Sequence, residues 1–141
     1  SNSFSTMQAW QRIRVRSAEV DWHKLVWHPV RIPKHAFCLW LALRRSHKNR
    51  DKLLAIGVLH TASCVFNCGK VESLEHLFFQ CPFTLNIWKA VLAMCNVLRP
   101  IVQWMDEIKW MLDHDRGHKF PTLVRKLGFA ASVYHLWLER N

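Results

Sequence analysis

Apolar residues recur at helical spacing along nearly the whole chain. The spacing predicts helices over residues 4–14, 22–27, 33–45, 49–55 and 73–79, a long helix from residue 82, another up to about residue 112, and a last one over 121–139. Three of them begin at proline, whose fixed backbone angle suits a first helical turn. Strand signals are weak: the alternation from Arg12 to Arg16 is the best candidate, and a solvated helix end fits it about equally well. We therefore predict an all-α fold, with residues 1–141 forming a single compact multi-helix domain.

Three apolar segments stand out within these helices. Residues 36–43 are apolar all round, which is typical of a buried helix. Two longer helices each carry an apolar stripe along one face. The stripes are Phe83, Ile87, Val91 and Met94 on one helix, and Leu123, Leu127, Ala131 and Tyr134 on the other. Cys38 and Cys95 lie in apolar helical patterns, so we expect both in the core.

The composition fits a folded, basic globule. The chain has 141 residues and a formal net charge of +10, and half of its residues are hydrophobic. A disordered chain lacks such apolar surface, and the longest apolar run, eight residues, is far short of the ~20 needed to span a bilayer. The charge indicates a polyanionic partner, and no membrane is expected. The chain does not begin with Met, which is expected of a fragment of a longer protein.

Cysteine usage carries the most specific signal. Five cysteines are an odd number without a secretory context, which favours an intracellular, reducing compartment over a disulfide framework. Cys64, Cys68, His76 and Cys81 follow the spacing C-x3-C-x7-H-x4-C. Three thiolates and one imidazole are a recurrent ligand set of structural zinc, and a close cysteine pair supplies two of them from one turn. We predict one structural Zn²⁺ within residues 64–81, with helices packing over 1–60 and 82–141.

Local backbone chemistry supports a site at these residues. Residues five apart differ by about 140° around a regular helix, so His76 and Cys81 cannot face one metal from an unbroken helix. Pro82 resolves this conflict because the residue before a proline is held in extended backbone. With Ser73 as N-cap, His76 falls in a first turn, where the helix dipole favours a neutral imidazole.

Two other interpretations of these four residues remain. They could be ordinary buried thiols beside a surface histidine, or they could include a catalytic Cys–His pair. A catalytic pair fits less well, because four ligands leave no open position for a substrate.

The metal-site residues resemble those of a known family. The segment from Cys64 to Trp88 resembles the zinc-binding domain that follows the reverse transcriptase in plant LINE-type (non-LTR) retrotransposons. That pattern is roughly C-x2-C-G, then E-S/T-x-x-H-L-F-x-x-C-P-F and Trp. The matching positions here are Cys64, Cys68, Gly69, Glu72, Ser73, His76, Leu77, Phe78, Cys81, Pro82, Phe83 and Trp88. Further similarity covers residues 4–10, 20–27, 32–42, 50–57 and 134–141.

Two positions depart from the family's pattern. The cysteine pair is C-x3-C instead of C-x2-C, so the loop must bulge, with Asn67 as the extra residue. His47 stands where the family commonly has an apolar residue. Neither change removes a ligand, and both fit a decayed or repurposed copy of an element.

No catalytic constellation competes with the metal site. The sequence contains no Tyr-x-Asp-Asp of a reverse-transcriptase active site, no Gly-rich phosphate loop and no convincing carboxylate set for two-metal chemistry. Asp113 and Asp115 form the tightest acidic group, and a solvated helix end explains them. We predict that the domain is not an enzyme and takes no small-molecule substrate.

Two clusters of cations are the best lead to function. They are Arg12, Arg14 and Arg16, and then Arg44, Arg45, Lys48, Arg50 and Lys52, with His47 among the second group. Such clusters suit phosphate contacts, and a solvated face that keeps the protein soluble is the alternative. Phe66, inside the metal loop, is the predicted ring for stacking on unpaired bases.

The resemblance implies a noncatalytic module of a retroelement polyprotein. Such a module would help grip template RNA or target DNA during target-primed reverse transcription, with the metal as scaffold. The second hypothesis is a domesticated protein-interaction module with a purely structural zinc, which binds a host or polyprotein partner through exposed aromatic anchors. A continuous basic groove would favour nucleic acid, and a contiguous exposed apolar patch would favour the protein partner.

Overall fold

The computed structural model describes residues 5–141, and over this range the fold is all-α. The helices are α1 (Thr6–Ile13), α2 (His23–Val26), α3 (Pro33–Leu43), α4 (Arg50–Ala55), a π-helix (His76–Gln80), α5 (Pro82–Met94), α6 (Trp104–His114) and α7 (Phe120–Arg140). Extended pairing among the described residues is limited to one isolated antiparallel bridge, between Ser63 and Val71. The prediction of an all-α, multi-helix domain is confirmed. The boundaries 1–141 stay a prediction, and Phe4, where the first predicted helix begins, lies outside the described residues.

The ends of the helices follow local signals. Ser5 is the N-cap of α1, as its side-chain oxygen accepts the backbone N–H of Gln8 at 3.4 Å. Proline occupies the first turn of α3, α5 and α7. Helix α1 ends at Ile13, so Arg14 and Arg16 lie in the irregular segment that follows and not in a strand.

Helix α7 organises the core. It packs against α2, α3, α5 and the π-helix. Phe79 of the π-helix lies at the centre of an aromatic cluster, with ring centroids 5.6 Å from Trp88, 5.3 Å from Trp104 and 5.8 Å from Phe129. Large rings dominate core energetics because each buries much apolar area. The cluster therefore fixes α5, α6 and α7 around the segment that carries the metal-site residues.

The core lies on helix faces next to the two predicted apolar stripes. On α5 the buried side chains are Thr84, Trp88 and Leu92, whereas Phe83 and Met94 are exposed. On α7 the four stripe residues are half-buried, and the fully buried face is the neighbouring one. Both helices are apolar on two adjacent faces, and periodicity alone does not choose between them. Packing against the aromatic cluster decides which face is buried.

Helix α3 is buried on one side only. His35, Ala36, Cys38, Leu39 and Ala42 face the core. Phe37 retains 54% of its surface exposed, so the expectation of burial all round is wrong for this side of the helix. Cys38 is buried, as expected.

Cys95 is half-buried, so its predicted place in the core is wrong. It is the C-cap residue of α5, one residue beyond the end of the apolar helical pattern that suggested burial.

A buried ion pair anchors the connection between α5 and α6. Glu107 is fully buried and accepts two hydrogen bonds from Arg99, at 2.7 and 2.8 Å. It also accepts the indole N–H of Trp88 at 2.9 Å and the backbone N–H of Val102 at 2.8 Å. A buried carboxylate with this many donors is fully compensated. Among the described helices, none is long and apolar enough to cross a membrane.

Candidate metal centre

The first two metal-site residues lie on a tight loop, residues 62–72, which we call the knuckle. Backbone hydrogen bonds close it, from Cys64 N–H to the Lys70 carbonyl and from Glu72 N–H to the Ala62 carbonyl, each at 2.8 Å. Asn67 and Gly69 reverse the chain with φ angles of +56° and +82°. Asparagine and glycine tolerate this left-handed region best. The position predicted as the extra residue of the bulged loop, Asn67, is thus one of the two that turn the chain.

The other two metal-site residues lie at the two ends of the π-helix: His76 is its first residue, and Cys81 follows its last. The N–H of Cys81 bonds the carbonyl of His76, five residues earlier, at 2.8 Å. Ser73 caps the turn through its Oγ, which accepts the His76 N–H at 3.1 Å, so the predicted cap is confirmed. Cys81 is extended, with φ −71° and ψ 131°, as expected before Pro82. The widened turn, together with this extension, brings His76 and Cys81 to one side.

The four side chains converge on one point. Their ligand atoms all lie within 4.8 Å of one another. The sulfurs of Cys64 and Cys81 are 3.8 Å apart, and two sulfurs bound tetrahedrally to zinc lie about 3.8 Å apart. Cys68 Sγ and His76 Nε2 are 3.1 Å apart, somewhat closer than the about 3.6 Å of a zinc-bound pair. The geometry and the donor set therefore form a metal-binding site, and both fit zinc.

Burial and charge at the site explain its need for a cation. Burial raises the pKa of the Cys64 thiol to about 12, and the neighbouring Cys68 and Cys81 add to this effect. The backbone N–H of Lys70 lowers the pKa of Cys68. Burial lowers the pKa of His76, with Lys70 acting in the same direction, which keeps the ring in the neutral form that binds metals. A divalent cation allows the thiols to ionise together.

A family model described as "zinc-binding in reverse transcriptase" matches residues 4–88, more than half of the chain. The chain belongs to this family. The predicted resemblance is confirmed at this level, and the family's description names zinc binding and no catalytic activity. The match ends at Trp88, so the similarity predicted for residues 134–141 lies beyond it. No curated protein and no solved structure matches the chain.

In this reverse-transcriptase zinc domain, Glu72 joins the knuckle to the helical body. It is fully buried, and its Oε1 accepts the backbone N–H of Arg50 at 3.1 Å and two side-chain N–H groups of Arg140 at 2.8 and 2.9 Å. Arg140 also donates to the carbonyl of Lys48 at 3.2 Å. The last turn of α7 thus holds both the knuckle and the loop before α4. Glu72 belongs to the sequence motif, but no pattern in the sequence indicated that Arg140 would be its partner.

The structure divides the eight predicted nucleic-acid-binding cations into two groups. Five are exposed and form no ion pair within the described residues: Arg12, Arg14, Arg16, Arg44 and Lys48. The other three make contacts inside the domain. Arg45 pairs with Glu75. Arg50 donates to the Ser63 carbonyl at 3.1 Å, and Lys52 donates to the carbonyls of Arg45 and His47.

Two further residues, His47 beside the cations and Phe66 in the knuckle, are less exposed to solvent than residues of a loop usually are. His47 is buried, with its ring centroid 4.1 Å from that of Trp137, and its Nε2 lies 3.0 Å from the Cys38 carbonyl. It fills the apolar position that the family pattern indicates and is not part of the basic surface. Phe66 is half-buried and packs against Phe83 at 4.5 Å between centroids. Its predicted contact with bases stays a prediction.

Proposed function

We propose that this domain is a noncatalytic, zinc-organised module of a non-LTR retrotransposon reverse transcriptase, or of a derived copy. In this proposal Cys64, Cys68, His76 and Cys81 hold one structural Zn²⁺. Family membership and the convergent donor atoms support it. Four protein ligands complete a tetrahedral shell, so the ion takes no substrate and its role is to hold the knuckle against the π-helix.

The module binds RNA or DNA through its exposed cations during target-primed reverse transcription. The observation that carries this proposal is the set of five exposed cations that form no ion pair within residues 5–141, in a chain whose net charge is +10. No Asp or Glu occurs between Asp21 and Asp51, so the segment that contains Arg44 and Lys48 is purely basic. Unpaired surface cations gain most from replacing the counterions of a phosphate backbone.

The experiment is the salt dependence of binding to labelled single-stranded and duplex oligonucleotides. For a single-stranded probe, we expect log Kd to rise linearly with the logarithm of the salt concentration. Changing either Arg44 or Lys48 to Gln should lower the slope of that line by about 0.7. Arg50→Gln is not a suitable control because it loosens the knuckle. Arg116→Gln removes an exposed cation outside both clusters and should leave the slope unchanged. Binding that does not strengthen at low salt would overturn the proposal.

A groove between α5 and α7 favours the protein-interaction alternative. It has a volume of about 490 Å³ and is lined mainly by apolar side chains, including Phe83, Val91, Met94 and Ala131. If this groove carries the function, Met94→Glu should abolish binding of a polyprotein or host partner and leave oligonucleotide affinity unchanged. The basic segment favours nucleic acid as the first proposal.

A further inference from the structure

An aromatic pair lies on α3 where the helix meets solvent. Phe37 and Trp40 stack with ring centroids 5.6 Å apart and an interplanar angle of 29°. The guanidinium of Arg44 lies 5.2 Å from the centroid of the Trp40 ring. These three residues are spaced i, i+3 and i+7, so they form one row along the helix. We call this row the aromatic platform.

Phe37 lies at the solvent-exposed end of the aromatic platform. Trp40 is half-buried and packs against the core, but Phe37 is not part of that core and retains 54% of its surface exposed. Leaving a phenylalanine in water forgoes the burial that stabilises most such rings. Its ring stands at the head of a rigid helix, backed by Trp40, so a planar group can stack on it without reordering the chain.

The cations at and beside the aromatic platform favour an anionic ligand. Arg44 lies within the row itself. Lys48, four residues further along the chain, is exposed and forms no ion pair with the part of the chain that the structure describes. Residues 37 and 44 are separated by about 10 Å along the helix axis. A ligand that satisfies both ends is therefore an extended chain with flat apolar groups and regular negative charges. No Asp or Glu occurs between Asp21 and Asp51, so the segment that carries these cations has no carboxylate of its own to offset their charge, which favours a polyanion as the ligand.

We propose that the aromatic platform binds single-stranded nucleic acid, with an unpaired base stacked on Phe37 and the backbone phosphates against Arg44 and Lys48. This proposal rests on the nucleic-acid function proposed above. It adds that the ligand is single-stranded and that Phe37, backed by Trp40, contacts a base. A duplex hides its base faces inside the stack, whereas a single strand presents them. Base–aromatic stacking is tolerant of sequence, because every base has a flat face.

The test compares Phe37→Ala with Phe120→Ala. Phe120 is a matched control, since it is 79% exposed on α7 and follows Lys119 directly. The probes are labelled oligouridylate and oligothymidylate of about twelve nucleotides, an abasic strand of the same length, and a duplex. We expect Phe37→Ala to weaken single-strand binding by about 5- to 150-fold, with an unchanged salt slope. Phe120→Ala should match wild type, and the abasic strand should bind wild type and Phe37→Ala equally.

The possible failures can be told apart. Equal single-strand affinity of Phe37→Ala and wild type, with salt-dependent binding intact, overturns the aromatic platform and leaves the basic function standing. Equal wild-type affinity for the abasic and normal strands also overturns the platform. The absence of salt-dependent binding to any probe overturns the nucleic-acid function itself, and the aromatic platform with it. Because Phe37 lies outside the core, circular dichroism should show an unchanged fold in the Phe37→Ala variant.

Discussion

Replacing Arg140 with Gln removes the charge partner of a fully buried carboxylate. The Glu72 side chain has no exposed surface, and that of Arg140 is only 11% exposed. In the wild-type protein Glu72 Oε1 receives two hydrogen bonds from Arg140 and one from the Arg50 N–H. The Oε2 atom has no hydrogen-bond partner among the described residues. Without Arg140, the carboxylate keeps a single backbone donor in a dry environment.

The expected cost follows from these contacts. Breaking a buried ion pair by removing one partner destabilises a protein by about 3–5 kcal/mol. The Arg140 side chain keeps 11% of its surface in contact with solvent, so we expect the lower end, about 3 kcal/mol. That is a large share of the about 5–15 kcal/mol that holds a typical domain together. For a chain of this length it corresponds to a decrease in Tm of roughly 10 °C.

Thermal unfolding of zinc-loaded protein measures this cost. The control is Arg116→Gln, because Arg116 is 82% exposed and lies 4.0 Å from Asp113. A surface pair of this kind contributes at most about 1 kcal/mol. The double variant Glu72→Gln/Arg140→Gln should lose less stability than the two single variants added together, since neither charge is then left alone. A decrease in Tm for Arg140→Gln no larger than that for Arg116→Gln would refute the reasoning.

Two further predictions concern His47 and the cysteines. Burial lowers the pKa of His47, aided by Lys52 and Arg140 and opposed by its bond to the Cys38 carbonyl. The unfolded state therefore binds more protons, so the His47 contribution to stability is complete above about pH 6.5 and is lost as the pH falls through the folded-state pKa. His47→Phe should make urea-unfolding free energies less pH-dependent between about pH 7 and pH 5, and an unchanged slope would contradict this. Alkylation of the zinc-loaded chain, read by mass spectrometry, should modify Cys95 alone. After the zinc is removed by chelation, Cys64, Cys68 and Cys81 should be modified as well. Burial raises the pKa of Cys38 to about 11 and keeps it unreactive until unfolding; equal labelling with and without zinc would contradict the assignment.

The signals that bring the four metal-site residues together are local in the sequence. Cysteine spacing, the serine cap and the proline after Cys81 each act within a few residues of the ligand they position. The π-helix was not predicted, although the argument that His76 and Cys81 cannot share a regular helix face pointed to an irregularity there. A widened turn and extended backbone both solve that geometric conflict, and the protein uses them together.

Features that depend on distant segments could not be predicted. Arg140 contacts Glu72 from 68 residues away, and Trp88 donates to Glu107 from 19 residues away. The same limit explains why Arg50 and Lys52 were grouped with the exposed cations: their carbonyl acceptors come from other turns of the chain. Phe37 lies in an apolar run, and only the packing of α3 on α7 shows which side of that run faces water.

The most direct test of the account is the zinc content of three purified proteins, measured by elemental analysis after exchange into metal-free buffer. The wild-type chain should retain one zinc per chain, Cys81→Ser should lose it and unfold more easily, and Cys95→Ser should retain it like wild type. Cys95 is the matched control because it is a cysteine outside the cluster of ligand atoms. A wild-type chain that carries no zinc yet unfolds at the same temperature with and without added metal would contradict the assignment of Cys64, Cys68, His76 and Cys81 as a structural zinc site.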